Sequence, residues 1–523
     1  MSFMKRKLPI GIQSFAKLRE GGFVYVDKSR QIYNLVDNAA GPVFLSRPRR
    51  FGKSLLCSTL KALFEGRRDL FKGLAIDSLD WEWKSYPVIH LDLNAADYTQ
   101  GLNKLNALLS SMLGTAAKSA GLSVCSDTPP EIQFRELISE MHKKTELPVA
   151  VIIDEYDKPL LSTIDNRELH EQMRNALKGF YGVFKSSDEY LEFVFLTGVT
   201  KFSKVSIFSD LNNLTDISLN PKYSDICGIT QNELEQCFYE EITLIAQEKN
   251  TKPETYIDDL KRFYNGYRFS SNPITVYNPF GLLQHFGNDG KFSSYWFATG
   301  TPTFLLKLIE AQHIDILNLE KETVTLDDFH KFDAENMDAV PVLYQSGYLT
   351  ISDYNKDTEE FALDYPNIEV RSAFSRSLLG YFTNIPDSKT RATVNKIPSA
   401  LRNGDIDAAM NALKSFLASV PYNIQIKQEK YYQTIVHLIF RMLGFDCRSE
   451  VQIADGRIDT LVETIDKVFC FEFKLNGSAQ DALQQIDSKE YLLPWSGSGK
   501  KLFKVGVSFD FEKRNILEWK VSS

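Results

Sequence analysis

The chain has 523 residues, of which 43% are hydrophobic and 24% are charged, and its formal net charge is −8 at pH 7. This length predicts two or three globular domains, and the composition excludes a disordered chain or a surface that binds polyanions everywhere. No stretch approaches the ~20 apolar residues of a membrane span, and the first nine residues lack an apolar stretch of signal-peptide length, so we expect a cytoplasmic protein without membrane contact.

The first two hundred residues alternate apolar strands with helical stretches. Strands are predicted at residues 43–46, 88–93, 149–153 and 191–197. This alternation predicts a parallel sheet with helices on both faces. Ligands bind such sheets at the carboxyl ends of the strands, where Lys53 and Asp154 both fall.

A glycine–lysine–serine turn follows the first strand and precedes a helix predicted at 55–64. The backbone and lysine of such a P-loop cradle phosphates, and the serine hydroxyl binds Mg²⁺. The pattern requires a glycine five residues before Gly52, but Arg47 stands there. We interpret the loop as a stiffer, more basic phosphate loop, with a basic surface loop as the alternative. The residues predicted to bind nucleotide are Arg49, Arg50, Phe51, Gly52, Lys53, Ser54, Leu55 and Asp154.

Two acids end the strand at 149–153. We predict that Asp154 holds Mg²⁺ together with Ser54, and that Glu155 orients the attacking water as a base. The alternative is a helix N-cap, but the apolar run before the acids favours the metal role. Beyond the strand at 191–197, Thr200 and Lys201 are candidates to sense the γ-phosphate, although a plain turn explains them equally well.

Helical periodicity dominates residues 216–420, for example at 233–249 and 257–264. Residues 343–351 predict a helix end, a glycine turn and a short strand. A small winged-helix-like unit and a helical lid both fit this pattern. Arg268 is a candidate to reach a nucleotide from this region.

The last hundred residues predict a helix at 428–443, strands at 457–463 and 467–475, a helix at 478–493 and a strand at 503–509. Residues two apart share a face of a strand, so Glu472 and Lys474 point away from the core, and a hairpin would bring Asp459 beside them. We predict that Asp459 and Glu472 bind Mg²⁺ or Mn²⁺ for phosphodiester hydrolysis and that Lys474 orients the water. The alternative is an exposed ion pair on an amphipathic strand.

Long strings of the chain resemble a known family. Residues 47–54, 153–159 and 198–209 with 212–214 are similar to the AAA-ATPase-like family of prokaryotes, which is related to STAND and AAA+ ATPases. Many members end in a PD-(D/E)XK nuclease-like domain, which the D-x₁₂-E-x-K spacing from Asp459 to Lys474 resembles. The resemblance places Glu429 and Gln485 at a further acidic and a further polar position, and it implies that an arginine can replace the first glycine of the loop.

We therefore expect an α/β protein with a P-loop NTPase sheet in residues 1–215, a helical or winged-helix-like region in 216–420 and a PD-(D/E)XK nuclease-like domain in 421–523. The resemblance implies ATP and Mg²⁺ as cofactors, and DNA or RNA as the partner that is cut. Two alternatives stay open: a STAND-like nucleotide-dependent switch that binds without cutting, and a scaffold with both sites vestigial. Homo-oligomer formation also stays open, because many such ATPases take an arginine from a neighbouring subunit.

Overall fold

The computed structural model describes residues 6–125, 127–201, 207–208, 211, 213–299, 303–330, 338–421, 428–475, 477–510 and 512–523. The helices are α1 Phe15–Glu20, α2 Ser29–Asp37, α3 Lys53–Phe64, α4 Arg68–Phe71, α5 Leu102–Ser119, α6 Pro130–Thr145, α7 Lys158–Ser162, α8 Arg167–Ser186, α9 Gln231–Glu248, α10 Pro253–Tyr264, α11 Pro279–Gly287, α12 Thr303–Ala311, α13 Ala339–Ser346, α14 Ile368–Thr383, α15 Asp387–Val394, α16 Ile397–Asn403, α17 Ile406–Ala418, α18 Glu429–Met442 and α19 Ala479–Ser488. The strands are β1 Val43–Ser46, β2 Val88–Asp92, β3 Val149–Asp154, β4 Leu191–Gly198, β5 Thr215–Asp216, β6 Ile229–Thr230, β7 Val276–Tyr277, β8 Thr323–Thr325, β9 Thr350–Asn355, β10 Glu360–Asp364, β11 Asp446–Ile453, β12 Gly456–Glu463, β13 Lys467–Leu475, β14 Lys501–Asp510 and β15 Asn515–Ser522.

The chain forms two compact units. The N-terminal unit comprises Met1–Trp296 and Thr323–Asn367, and the C-terminal unit comprises Phe297–Glu322 and Ile368–Ser523. The domain boundaries expected after residues 215 and 420 stay a prediction. Each helix among the described residues is too short or too polar to cross a bilayer.

A parallel sheet forms the core of the N-terminal unit, with the strand order β2-β3-β4-β1-β5 in the described residues. All of β3 is buried, as expected for a strand covered on both faces. The predicted α/β sheet is therefore confirmed. Ser46 pairs with Gly198 and Ile153 pairs with Leu196, so the carboxyl ends of β1, β3 and β4 lie at one edge.

The turn between β1 and α3 depends on a glycine. Gly52 has a φ of 92°, in the left-handed region that glycine adopts without steric cost, and α3 begins at the next residue. The helix thus starts two residues earlier than predicted. The N–H groups of its first turn lie at the edge where the sheet presents its strand ends, which is a favourable arrangement for an anion.

The predicted helix end, glycine turn and strand at 343–351 are present. Helix α13 ends at Ser346, Gly347 follows with a φ of 86°, and β9 begins at Thr350. Strand β10 pairs with both β9 and β8 in antiparallel orientation. This part of the chain therefore contains strands as well as helices, whereas a simple helical lid would contain helices alone.

The C-terminal unit contains a mixed sheet with the order β11-β12-β13-β14-β15 among the described residues. Strands β12 and β13 form the predicted antiparallel hairpin, and β13 pairs with β14 in parallel across α19. The sequence did not predict β11 or β15. The helix predicted at 478–493 is too long, because the chain turns at Glu490, where φ is 48°.

Candidate active sites

Buried aromatic and arginine side chains anchor the phosphate loop, residues 47–54. The phenyl ring of Phe51 is 1% exposed, and its centroid lies 4.7 Å from that of Tyr267 and 5.3 Å from that of Phe269. The guanidinium of Arg50 lies 3.9 Å from the ring centroid of Phe280, and its Nη1 donates to the carbonyl of Tyr295. Local sequence patterns did not signal these partners, which lie more than 200 residues away.

Arg47, which stands where a P-loop has its first glycine, points into the protein. Its side chain is 1% exposed, and it donates to the carbonyls of Ser218 (2.8 Å) and Tyr223 (3.0 Å). Arg47 therefore stabilises the first residues of the loop by hydrogen bonds, and its buried guanidinium is not placed to bind phosphates. Arg49 remains exposed, and its carbonyl accepts from the indole N–H of Trp296.

The predicted lysine and acids converge at the sheet edge. The Nζ of Lys53 donates to the carbonyls of Arg47 (3.1 Å) and Pro48 (3.3 Å), and it lies 3.7 Å from Oε1 of Glu155. Asp154 is 2% exposed, and burial raises its pKa to about 6 although a hydrogen bond from Ser54 opposes this rise. Glu155 is 23% exposed at its side chain and can face a ligand.

An apolar cavity of about 650 Å³, counting its open mouth, lies beside Gly52 and Leu55 in the N-terminal unit. Its walls are largely aliphatic and include Val26, Ile32, Ile229, Phe238 and Leu283. These apolar walls suit an aromatic base next to the phosphate loop.

Thr200 and Lys201, the candidates beyond β4, are both held by other side chains. Thr200 donates to Asp157 from its backbone N–H and from its hydroxyl. Lys201 donates its backbone N–H to Gln345 and forms an ion pair with Asp216. Residues 202–206, 209 and 212, which belong to the third resembling string, lie outside the described residues.

Arg268 does not face the phosphate loop with a free charge. Its guanidinium donates to the main-chain carbonyls of Ser271 (2.6 Å) and Ser352 (3.1 Å), and its side chain is buried. The sequence pattern could not reveal the acceptor at Ser352, because it lies 84 residues away.

The second predicted site lies where β12, β13 and α18 meet in the C-terminal unit. Oδ2 of Asp459 accepts from the N–H of Phe473 (2.8 Å), and Oε1 of Glu472 accepts from Nζ of Lys474 (2.9 Å). Glu429 reaches the same strand, because its Oε2 accepts from the N–H of Leu475 (2.8 Å). Gln485 instead donates to the hydroxyl of Tyr491.

The Glu472 side chain is buried in a way that costs free energy. It is 1% exposed, so the alternative of an exposed ion pair does not fit. Its Oε2 accepts no hydrogen bond from the described residues. Burial and then the charge of Asp459 raise the pKa of Glu472 to about 7, and burial raises the pKa of Asp459 to about 6. Perturbed carboxyl groups of this kind cluster at functional sites.

A divalent cation would suit this pair of carboxylates, since it would neutralise both charges and bind Oε2 of Glu472, which accepts no hydrogen bond from the described residues. The described residues contain no group of three or more His, Cys, Asp and Glu side chains that could hold a metal ion by themselves. A metal at Asp459 and Glu472 would therefore complete its shell with water and phosphate oxygens, as Mg²⁺ commonly does.

Sequence reasoning missed two residues that support this site. Gln433 on α18 donates to the carbonyl of Asp459 (2.6 Å) and to Oε1 of Glu450 (2.9 Å). Glu450 has a φ of 56° and pairs with Arg457. A strained backbone next to perturbed carboxyl groups is a further sign of function, but no local pattern in the sequence marks it.

Comparison with known proteins agrees with this architecture. A family model described as predicted AAA-ATPase matches residues 9–208, and the model of the PD-(D/E)XK nuclease superfamily matches residues 427–519. An uncharacterized protein in the vnfD 5' region of Azotobacter chroococcum mcd 1 is 35% identical over 530 residues, which cover 99% of both chains. The structure of the Aeropyrum pernix ORC2 protein in ADPNP-ADP complexes aligns with 75% of this chain and 93% of its own, at 12% identity. The TM-score of this alignment is 0.26. The resemblance stated from the sequence is confirmed.

Proposed function

This chain belongs to the predicted AAA-ATPase family and carries a C-terminal domain of the PD-(D/E)XK nuclease superfamily, and from this premise we propose that its N-terminal unit binds and hydrolyses ATP. The observation that carries the proposal is the convergence of Lys53, Ser54, Asp154 and Glu155 at the carboxyl edge of the parallel sheet.

Each of these residues has a role that its position supports. The N–H groups at the start of α3 and the ammonium of Lys53 bind the phosphates, and Lys53 exchanges its present carbonyl acceptors for phosphate oxygens. Ser54 and Asp154 hold Mg²⁺, which supplies charge neutralisation at the phosphates when it is bound. Glu155 orients the attacking water and accepts its proton. The apolar cavity beside Leu55 receives the base.

Lys53→Ala tests this assignment against a matched change on the same helix. The wild-type chain should release phosphate from MgATP, and ATP should raise its melting temperature. Lys53→Ala should abolish both effects. Lys61→Ala should retain them, because Lys61 is half-exposed and pairs only weakly with Glu65 at 3.8 Å. Wild-type protein that neither binds nor hydrolyses ATP would contradict the proposal and favour a scaffold with vestigial sites.

We infer a second activity for the C-terminal unit, hydrolysis of phosphodiester bonds in nucleic acid. The observation that favours it is the buried Glu472 oxygen, which accepts no hydrogen bond from the described part of the chain and lies next to Asp459 and Lys474. Asp459 and Glu472 would hold Mg²⁺ or Mn²⁺, which supplies an activated water and charge stabilisation at phosphorus. The ammonium of Lys474 holds that water beside the phosphate.

Nuclease assays on the full chain separate cutting from binding. Purified protein with Mg²⁺ or Mn²⁺ and ATP should cut DNA or RNA, and Asp459→Asn, Glu472→Gln and Lys474→Ala should each abolish the cutting. Lys489→Ala is a matched control, because its ammonium is 44% exposed and pairs with Asp455 at the surface. If the wild type cuts neither substrate while it still hydrolyses ATP, the protein is a nucleotide-dependent switch of the STAND kind.

The remaining expectations also stay proposals. We propose that nucleic acid is the partner of the C-terminal unit. We also propose that the protein is located in the cytoplasm. Limited proteolysis would test the domain boundaries after residues 215 and 420. Measurement of the mass in solution would test the formation of a homo-oligomer.

A further inference from the structure

Asp157 is a buried carboxylate beside the proposed ATP site, and none of the roles proposed above involves it. Its side chain is 0% exposed, two residues after Glu155. One oxygen, Oδ2, accepts three hydrogen bonds from the residues just beyond β4, namely from the N–H of Val199 (3.1 Å) and from the N–H (2.7 Å) and hydroxyl (2.6 Å) of Thr200. Asp157 therefore connects the acid-bearing turn after β3 to the chain that leaves β4.

This acid-bearing turn needs external support. Glu155 has a φ of 52°, in the left-handed region that a residue with a Cβ adopts only where the surroundings impose it. Two further hydrogen bonds support the turn from β4 and beyond. The N–H of Tyr156 donates to the carbonyl of Thr197 (3.1 Å), and the hydroxyl of Tyr156 donates to the carbonyl of Thr200 (2.9 Å).

Asp157 packs so closely against Gly198 that position 198 has no room for a side chain. A Cβ on Gly198 would lie 2.4 Å from Oδ1 of Asp157 and 2.6 Å from Cδ1 of Tyr156. The carbonyl of Gly198 also accepts from the N–H of Arg47, the first residue of the phosphate loop. The turn, the end of β4 and the phosphate loop are thus fixed to one another.

We propose that Asp157 is a positioning residue for ATP hydrolysis. Its hydrogen bonds to Val199 and Thr200 hold the turn at Glu155 in a fixed relation to the end of β4, so that Glu155 faces the γ-phosphate. The proposal rests on the ATPase function proposed above. It predicts an effect on turnover more than on binding, because the hydrogen bonds of Asp157 do not involve Lys53 or Ser54.

The first experiment compares alanine and asparagine at this position in the full chain. Asp157→Ala leaves three donors without an acceptor, and kcat for ATP should fall at least about tenfold while the Kd for ATP changes by less than about threefold, since a small misplacement near the reacting atoms strongly slows chemistry. Asp157→Asn should recover kcat to within about threefold of the wild type, because the amide oxygen keeps a hydrogen-bond acceptor at the position of Oδ2. Wild-type kcat in Asp157→Ala would overturn the proposal, and so would an asparagine variant as slow as the alanine variant.

A milder pair of variants applies if Asp157→Ala does not fold. Tyr156→Phe removes only the hydroxyl that donates to Thr200, and kcat should fall severalfold with the Kd for ATP retained. Tyr98→Phe is the matched control, because it removes an equally buried hydroxyl whose acceptor is Leu93, and it should leave kcat unchanged. Equal kcat in the two variants would overturn the proposal. A wild-type chain that does not hydrolyse ATP would overturn the ATPase function together with it, whereas wild-type turnover with unaffected variants would overturn the positioning role alone.

Discussion

Replacing Glu472 by glutamine should stabilise the C-terminal unit at pH 8 and remove its response to divalent metal. The carboxyl group is 1% exposed, and burial with the nearby Asp459 raises its pKa from 4.5 to about 7. The folded chain therefore binds this proton more tightly than the unfolded chain does. Stability is fully present below pH 4.5, falls as the pH rises toward 7, and then levels off.

The size of the effect follows from the pKa change. A pKa change of one is worth about 1.4 kcal/mol, so the ionised Glu472 lowers the free energy of unfolding by about 3 kcal/mol at pH 8. Glutamine carries no charge at any pH and escapes this cost, although it weakens the bond from Lys474. The variant should thus be no more stable than the wild type at pH 5, and more stable at pH 8 by up to about 3 kcal/mol.

Calorimetry at both pH values, with EDTA and then with Mn²⁺, measures this prediction. Mn²⁺ should raise the melting temperature of the wild type at pH 8 but not that of Glu472→Gln. Glu463→Gln is the matched control on β12, because hydrogen bonds from Lys500 and Trp495 outweigh burial and lower the pKa of Glu463. That control should lose stability at pH 8 and keep its metal response. A Glu472→Gln chain that is less stable than the wild type at pH 8 would refute the reasoning.

Three further predictions concern the N-terminal unit. Arg47→Met should lower the free energy of unfolding in urea by about 1–3 kcal/mol, because buried carbonyls lose their donor. A loss of ATP-binding free energy that exceeds the loss of unfolding free energy would contradict this. Phe51→Ala should cost about 3–5 kcal/mol in the same measurement, because the ring is fully buried. Mg²⁺-dependent ATP binding should weaken as the pH falls through about 6, since protonation removes Asp154 as a ligand; calorimetric titration at pH 5 and 7.5 would show equal affinities if Asp154 does not bind the metal.

Local patterns in the sequence were sufficient for the elements that carry the candidate sites. Strand β1 has the predicted bounds and β3 extends the predicted strand by one residue, because apolar runs between turn residues define buried strands. The hairpin of β12 and β13 brings Asp459 beside Glu472 because a two-residue period fixes which side chains share a face.

Contacts between residues far apart in sequence were not predictable. The burial of Arg47 depends on carbonyls at residues 218 and 223, and one carbonyl acceptor of Arg268, that of Ser352, lies on a strand more than 80 residues away. Strand β15 lies at the edge of its sheet with most side chains exposed, so its sequence lacks the apolar run that marks a buried strand. The support that Asp157 gives to the turn at Glu155 likewise appears only once β3 and β4 are paired.

The most direct measurement of the central claim is a single-turnover assay of MgATP hydrolysis by the wild type and by Glu155→Gln, with ATP binding measured on the same samples. The claim predicts that both proteins bind ATP with similar Kd and that only the wild type converts it to ADP and phosphate. Equal rates of conversion in both proteins, or no conversion by a wild type that binds ATP tightly, would contradict it.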